Sequence, residues 1–361
     1  MISSKWDLSR SAEKIQELEE RLRNQSASRI TILCHNNPDP DTIASAYAFD
    51  YLLAKKFGVR SFIRYGGVIT RAENKAMVRR LQIKMLPLER INDAPTDTLA
   101  LIDAQPATGN NLILSRDVVP FIVIDHHPSR RATHRCPFHD IRPLYGSTST
   151  IITEYYAASG LTPPRSVANA LLYGLKTDTG SLVRTSCKAD FRAFSFLSPY
   201  TNPRVLGWIE KPPLPQSYFE DYCKGLAGAV IYKDVAVSYI GAVESEAIVP
   251  ELADVLLRID HMSWSLCMGL VGSMLVISLR ARSRKHKAGA ILRKLVGKAG
   301  SAGGHREMAG GVMPVVGMAD DQIKDLGDHM IEKFLTLIDR KGHRPEKLVH
   351  EAWCRVDSPV C

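Results

Sequence analysis

The stretch LCHNNPDPDTIAS, residues 33–45, places a histidine and two aspartates between an apolar run and a helix-like segment. Residues 30–33 are β-branched or aliphatic and residues 42–57 keep a helical pattern up to Gly58, so the part between them reads as a strand-to-helix turn. His35, Asp39 and Asp41 lie in that turn. Ligands of open α/β sheets collect at the carboxyl ends of strands, and two carboxylates crowded there repel unless a cation neutralises them. A divalent metal is the natural cation. The competing reading makes Asp39 and Asp41 ordinary helix-starting residues, with Pro38 and Pro40 shaping the turn.

Outward from this turn the pattern alternates strand and helix. A second strand is expected over 59–65, a helix over 72–82, and further apolar runs over 98–102 and 118–124. The first of these runs ends in Asp103 and the second in Asp125-His126-His127. Alone, Asp103 reads as a capping aspartate and either histidine as a packing residue. Together with the opening turn they make three strand ends of metal-ligand type, and in a parallel sheet such ends share one edge. Helices follow over 147–156, with Ser147, Thr148 or Ser149 as N-cap, and over 166–176. The second runs into Thr177-Asp178-Thr179-Gly180, where Asp178 can reach the same cleft, although Asp-Thr-Gly is also a common helix-ending turn. Cys34 reads as a buried strand residue, and Ile15, Leu18 and Leu22 form the packing stripe of an opening helix.

At 361 residues the chain exceeds a usual single core. The expected fold is α/β: a doubly wound, mostly parallel sheet over 1–197, a proline-rich linker over 198–216, a smaller α/β domain over 217–340 and a tail over 341–361. Within the second domain, residues 266–279 read as two buried strands joined at Gly272-Ser273 and too short to span a membrane. The formal charge of +9 favours anionic partners. Between His261 and Arg306 there is no acidic residue, whereas Arg280, Arg282, Arg284, Lys285, Lys287, Arg293, Lys294 and Lys298 all fall there. A solvated basic face is the plain reading, an anion-facing surface the sharper one. The run GSAGGHREMAGG, residues 300–311, reads as a loop whose glycines let backbone amides approach an anion. Seven cysteines without a CxxC pair suggest neither a disulfide framework nor a zinc ribbon, and with no apolar signal segment at the N-terminus a cytoplasmic setting is expected.

The order HNNPDPD, Asp103, DHH at 125–127 and Asp178 resembles the four motifs of the DHH phosphoesterase superfamily. SLRAR at 278–282 and the glycine-histidine run resemble the DHH-associated C-terminal domain, of the type found with RecJ exonucleases and oligoribonuclease/pAp-phosphatase proteins. The resemblance implies an active site in the interdomain cleft with two divalent metal ions, usually manganese. His35, Asp39 and Asp103 would hold one ion; Asp41, Asp103, His126 and Asp178 the other. His127 would contact or protonate the scissile phosphate, Asp125 would orient the cluster, and Arg280, Gly303, Gly304 and His305 would bind substrate. The implied activity is hydrolysis of short RNA or DNA oligonucleotides or linear dinucleotides to nucleoside monophosphates, with pAp as a further substrate and a homodimer as a compatible assembly. Inorganic pyrophosphatase or exopolyphosphatase activity, and a nucleotide-binding regulator without turnover, are the alternatives.

Overall fold

Six parallel strands frame the N-terminal part: β1 (Arg29–Leu33), β2 (Arg60–Tyr65), β3 (Met85–Pro87), β4 (Leu99–Ile102), β5 (Ile122–Asp125) and β6 (Phe138–Ile141), in the order β3-β2-β1-β4-β5-β6. The structure is a computed structural model and describes residues 6–349 apart from 26–27, 95–97, 114–116, 185 and 305. From β1 the chain winds outward to β2 and β3, then returns to continue on the other side through β4, β5 and β6. The strand order therefore reverses between β1 and β4, and the opening turn leaves the sheet at this switch point. Every residue of β4 and β5 is buried, as parallel strands covered on both faces require.

Alternation along the strands separates two faces. Ile30, Ile32, Ala100, Ile102, Ile122 and Ile124 pack with residues of α1 (Ser9–Gln25), α2 (Pro40–Phe57), α3 (Ala72–Arg80), α4 (Thr148–Ser159) and α5 (Arg165–Thr179). Leu33, Leu99, Leu101 and Val123 pack instead with Leu88, Ala104, Ile113 and Cys136. Among the described residues the α-helices thus cover one face, while the second is covered partly by the connections around β4 and β5, which include short 3-10 turns over Ile91–Asp93 and Arg131–Arg135. This difference decides where open surface lies near the strand ends.

The expected linker is shorter than the proline pattern suggests. After α6 (Lys188–Leu197), residues Ser198–Tyr200 form a 3-10 turn and α7 covers Pro203–Glu210, with Leu206 and Ile209 in the core under the first sheet. Pro199 and Pro203 stand at first-turn positions of these segments, where a helix needs no N–H, so prolines did not prevent folding. The two units divide as Met1–Pro212 and Pro213–Cys361.

In the second unit β7 (Val230–Tyr232), β8 (Val235–Ala242), β9 (Trp264–Val271), β10 (Met274–Ala281), β11 (Ser301–Gly304), β12 (Met308–Pro314) and β13 (Glu346–Lys347) form a sheet of order β11-β12-β10-β9-β8-β7-β13. Helices α8 (Gln216–Ala227) and α9 (Ile248–Leu256) lie with Ala236 and Cys267 on one face; α10 (Ala288–Val296) and α11 (Asp320–Leu337) lie with Leu266, Ile277 and Leu279 on the other. The glycine run, expected as a loop, is largely a hairpin in which Gly303 pairs with Gly310 and Gly304 with Ala309. A Cβ on Gly304 would fall 2.4 Å from the Met308 carbonyl oxygen, so glycine serves the close strand approach there. Two residues of the expected tail, Glu346 and Lys347, extend the sheet beside β7. No described helix is long and apolar enough to cross a membrane.

Candidate metal centre

β1 ends at Leu33 and delivers His35 to the sheet edge. Its Nδ1 lies 2.8 Å from the Asn36 carbonyl, which can only accept, so in the neutral ring Nδ1 carries the proton and the lone pair falls on Nε2. That Nε2 faces Asp39 Oδ2 at 3.7 Å and Asp103 Oδ2 at 3.8 Å. Asp39 is also the N-cap of α2, its Oδ1 accepting from the Thr42 amide at 3.0 Å. The two readings of this aspartate are therefore compatible: one oxygen caps the helix and the other turns to the histidine. Asp41 is fully buried, and its carboxylate accepts from the Thr148 and Ser149 amides at 2.7 and 2.8 Å. It thereby sits at the positive N-terminus of α4.

Asp103 follows β4 in the left-handed region, with φ at +58°, a strained state for a non-glycine residue. Its amide donates to Ile124 O at 2.9 Å, which anchors the turn on β5. Thr42 Oγ1 donates to one carboxylate oxygen and Thr148 Oγ1 to the other, at 2.5 and 2.8 Å. The oxygen toward Thr42 is the one facing His35; the oxygen toward Thr148 faces His126 Nε2 at 3.7 Å. A single carboxylate thus stands between two imidazoles.

His126 lies 3.2 Å through Nδ1 from the Tyr145 carbonyl, which leaves Nε2 as the bare nitrogen. This Nε2 is buried without a hydrogen bond and lies 3.3 Å from Asp178 Oδ2. Asp178 stands in the last turn of α5, one turn beyond Gly174. A Cβ on Gly174 would meet Ser149 Oγ at 2.5 Å, Ala44 Cβ at 2.9 Å and Pro40 O at 3.0 Å, so glycine lets α5 approach α2 and α4 closely enough to bring Asp178 in.

His127 is set differently. Its Nδ1 pairs with Asp125 Oδ1 at 2.8 Å, and that same oxygen accepts its amide at 3.1 Å. The other oxygen of Asp125 accepts from Gln105 Nε2 at 2.7 Å, and Gln105 Oε1 accepts from the Arg130 amide and the Thr133 hydroxyl, each at 2.8 Å. Gln105, Thr42 and Thr148 were not singled out as site residues by the sequence reading, although Thr148 appeared as a candidate cap. No spacing marks Gln105, because its partners come from a separate connection.

Burial and the mixing of carboxylates with imidazoles set the electrostatics. Burial, and then the neighbouring Asp39, raise the Asp103 carboxyl to about 6. Burial, with Asp103 and Asp178, pushes Asp41 well above the usual carboxylate range. Burial opposes a charged His35, yet its contacts with Asp39 and Asp103 prevail and hold it at about 10. Asp125 is lowered despite burial because His127 bonds to it, and His127 is raised in turn. Three groups bring possible ligand atoms within 4.8 Å of one another: His35, Asp39 and Asp103; Asp41, His126 and Asp178; and Asp103, Asp125, His126 and His127. The orphaned Nε2 of His126 and the crowded carboxylates fit divalent cations, and the donor set of imidazoles and carboxylates suits manganese or a similar hard ion. Cys34 is buried with its thiol pushed up, a strand residue rather than a thiolate donor.

Arg280, Gly303 and Gly304 belong to the second unit. Arg280 lies within β10 rather than after it, and its guanidinium donates to Asp254 Oδ1 at 2.5 Å and Ser278 Oγ at 2.8 Å. His305 lies outside the described residues.

Residues 29–175 match the DHH family, N-terminal domain. An uncharacterized protein of Methanocaldococcus jannaschii is 34% identical over 297 residues, 82% of this chain and 60% of that protein. A "probable manganese-dependent inorganic pyrophosphatase" of Streptococcus pyogenes is 30% identical over 162 residues, 42% of this chain and 49% of that protein. The chain thus spans 60% of the first relative's length and 49% of the second's. The crystal structure of an exopolyphosphatase-related protein from Bacteroides fragilis shares the fold, with a TM-score of 0.67 at 17% identity over 92% of this chain and 98% of that one.

Proposed function

We propose that this chain, whose residues 29–175 match the DHH family N-terminal domain, is a metal-dependent phosphoesterase that hydrolyses short oligonucleotides or linear dinucleotides to nucleoside monophosphates, with pAp as a further substrate. The observation that carries the reading is Asp103, whose two oxygens face His35 on one side and His126 on the other. His35, Asp39 and Asp103 would hold one manganese ion, and Asp41, Asp103, His126 and Asp178 a second. Such a pair, when bound, supplies positive charge to phosphoryl oxygens and acidifies water at neutral pH.

The chain's own groups do the rest. Asn36 O and Tyr145 O fix the tautomers of His35 and His126, and Thr42 and Thr148 hold the Asp103 carboxylate in place. His127, held protonated on Nδ1 by Asp125, presents its other nitrogen for a proton transfer to the leaving oxygen. Exposed Lys285, Lys287, Arg293, Lys294 and Lys298 give the second unit a basic face suited to a polyanion. Arg280, Gly303, Gly304 and His305 remain the proposed substrate contacts there.

The test is a substrate panel. Protein stripped with EDTA should leave 5′-phosphorylated dinucleotides and pAp intact, and manganese should restore their hydrolysis. Metal-loaded protein that cleaves none of them removes the basis of this reading. The name of the Streptococcus relative favours a second reading, hydrolysis of inorganic pyrophosphate, and phosphate release from pyrophosphate in the same panel separates the two.

A further inference from the structure

The face of the first sheet opposite its packed α-helices holds a groove of about 430 Å³, lined by Pro106, Ala107, Val118 and Val119 on one connection and by Arg130, Arg131, Ala132 and Arg135 on the other. Its walls are the connections that leave β4 and β5 at Asp103 and Asp125; the first returns through Val118 and Val119 into β5, and the second holds a 3-10 turn over Arg131–Arg135. None of the groove's lining residues is acidic. Arg130 and Arg131 are exposed, and neither guanidinium has an ion pair among the described residues. The exposed guanidiniums of Arg130 and Arg131 beside an apolar floor that includes the exposed Val119 make an amphipathic trough.

The trough is tied to the metal centre. Gln105, 1% exposed, donates to Asp125 and accepts from the Arg130 amide, so one carboxamide joins the arginine segment to the pair that orients His127. It also donates to the Pro128 carbonyl at 3.2 Å, and Thr133 donates to it, which pins both ends of the arginine wall. Such anchoring is expected of a surface that must keep register with a reacting atom.

We propose that this groove binds single-stranded oligonucleotide adjoining the scissile linkage, with Arg130 and Arg131 on backbone phosphates and bases against Val118 and Val119. The proposal rests on the phosphodiesterase reading and deepens it by giving the nucleotides beyond the scissile pair a place to bind. Guanidinium groups pair with phosphate in a fork and stack on bases, and the apolar floor has no use for a bare polyphosphate.

The experiment uses the full chain and a fluorescein-labelled single-stranded octanucleotide, with anisotropy read in EDTA so that binding is separate from hydrolysis. Arg130→Glu/Arg131→Glu should weaken octanucleotide binding at least tenfold and make the dependence of log affinity on log salt shallower by about 1.4, the value for two phosphate contacts on a single strand. Manganese-dependent cleavage of a dinucleotide by the same variant should stay close to the parent rate. Val119→Ser should weaken the octanucleotide and leave competition by linear polyphosphate unchanged. Unaltered octanucleotide binding by the double variant would overturn the proposal. So would polyphosphate competing as well as the octanucleotide with no effect of Val119→Ser, since the groove would then be a site for any polyanion. If arginine-dependent binding persists while dinucleotides are never cleaved, the groove stands and the phosphodiesterase reading falls.

Discussion

At the edge of the first sheet, Asp41 and Asp103 are buried among other carboxylates and imidazoles, and the Nε2 of His126 has no hydrogen bond. In the second unit, Arg280 is buried as deeply, yet Asp254 and Ser278 answer its guanidinium directly. One region gathers Asp39, Asp41, Asp103, Asp125 and Asp178 around three imidazoles and leaves one imidazole nitrogen without a hydrogen bond, and the other answers its single cation with a carboxylate and a hydroxyl. A buried polar atom without a partner is costly in a low-dielectric setting, so the first arrangement fits a bound cation while the second is answered by its own side chains. The proposed metal chemistry is therefore assigned to the first region, and any substrate contact by Arg280 must use what its structural partners leave over.

The widest gap between the regions should appear on cutting the shared carboxylate. Asp103→Ala should abolish hydrolysis and release manganese on dialysis, because it removes the group facing both His35 and His126. His127→Ala should keep the metal and lose roughly 10²- to 10⁴-fold in kcat, the usual range for a positioned acid or base. Metal analysis beside single-turnover rates checks both. Equal metal loss in the two variants would break the division between holding the ions and moving the proton.

Acidity sharpens the same contrast. Asp103 is held at about 6 by burial and by Asp39, above its value in an unfolded chain. In EDTA-stripped protein the folded state keeps this proton between roughly pH 4 and 6 where the unfolded state has released it, so this group's contribution to stability falls as pH rises through that window. Manganese needs the ionised carboxylate, so its affinity should drop by up to about tenfold per pH unit below 6 for each proton displaced. The rise in Tm on adding manganese should therefore grow from pH 5 to pH 7. A flat response over that range would show that Asp103 is not a ligand.

Legibility in the sequence follows the same line. Asp103, Asp125, His126 and the His35 turn could be read because each closes an apolar run, and parallel strands bring their ends together. Asp178 was legible only as a position in order, since its arrival depends on the close packing that Gly174 permits. Gln105 could not be read: its partners, Asp125 and Arg130, lie twenty or more residues away on another connection. The glycines of 300–311 resembled a loop because a run without side chains hides its strand register, which backbone pairing alone reveals. Prolines at 199 and 203 suggested a linker since their fixed φ also suits a helix's first turn, and sequence does not distinguish the two uses.

Arg280→Ala should give the smallest catalytic effect. The side chain is 7% exposed and holds Asp254 and Ser278, so removing it should lower stability by about 2 kcal/mol through lost hydrogen bonds. Asp254 is 45% exposed, so water can solvate the carboxylate left behind and the unit should still fold. If a remaining guanidinium donor meets substrate, KM for a dinucleotide should rise severalfold while kcat and manganese content hold. Arg280→Lys discriminates further: it keeps a charge but cannot reproduce the planar fork between Asp254 and Ser278. A stability loss in both variants with unchanged KM would make Arg280 a strand anchor and leave phosphate recognition to the exposed basic residues, whereas a raised KM in both would place substrate at this strand.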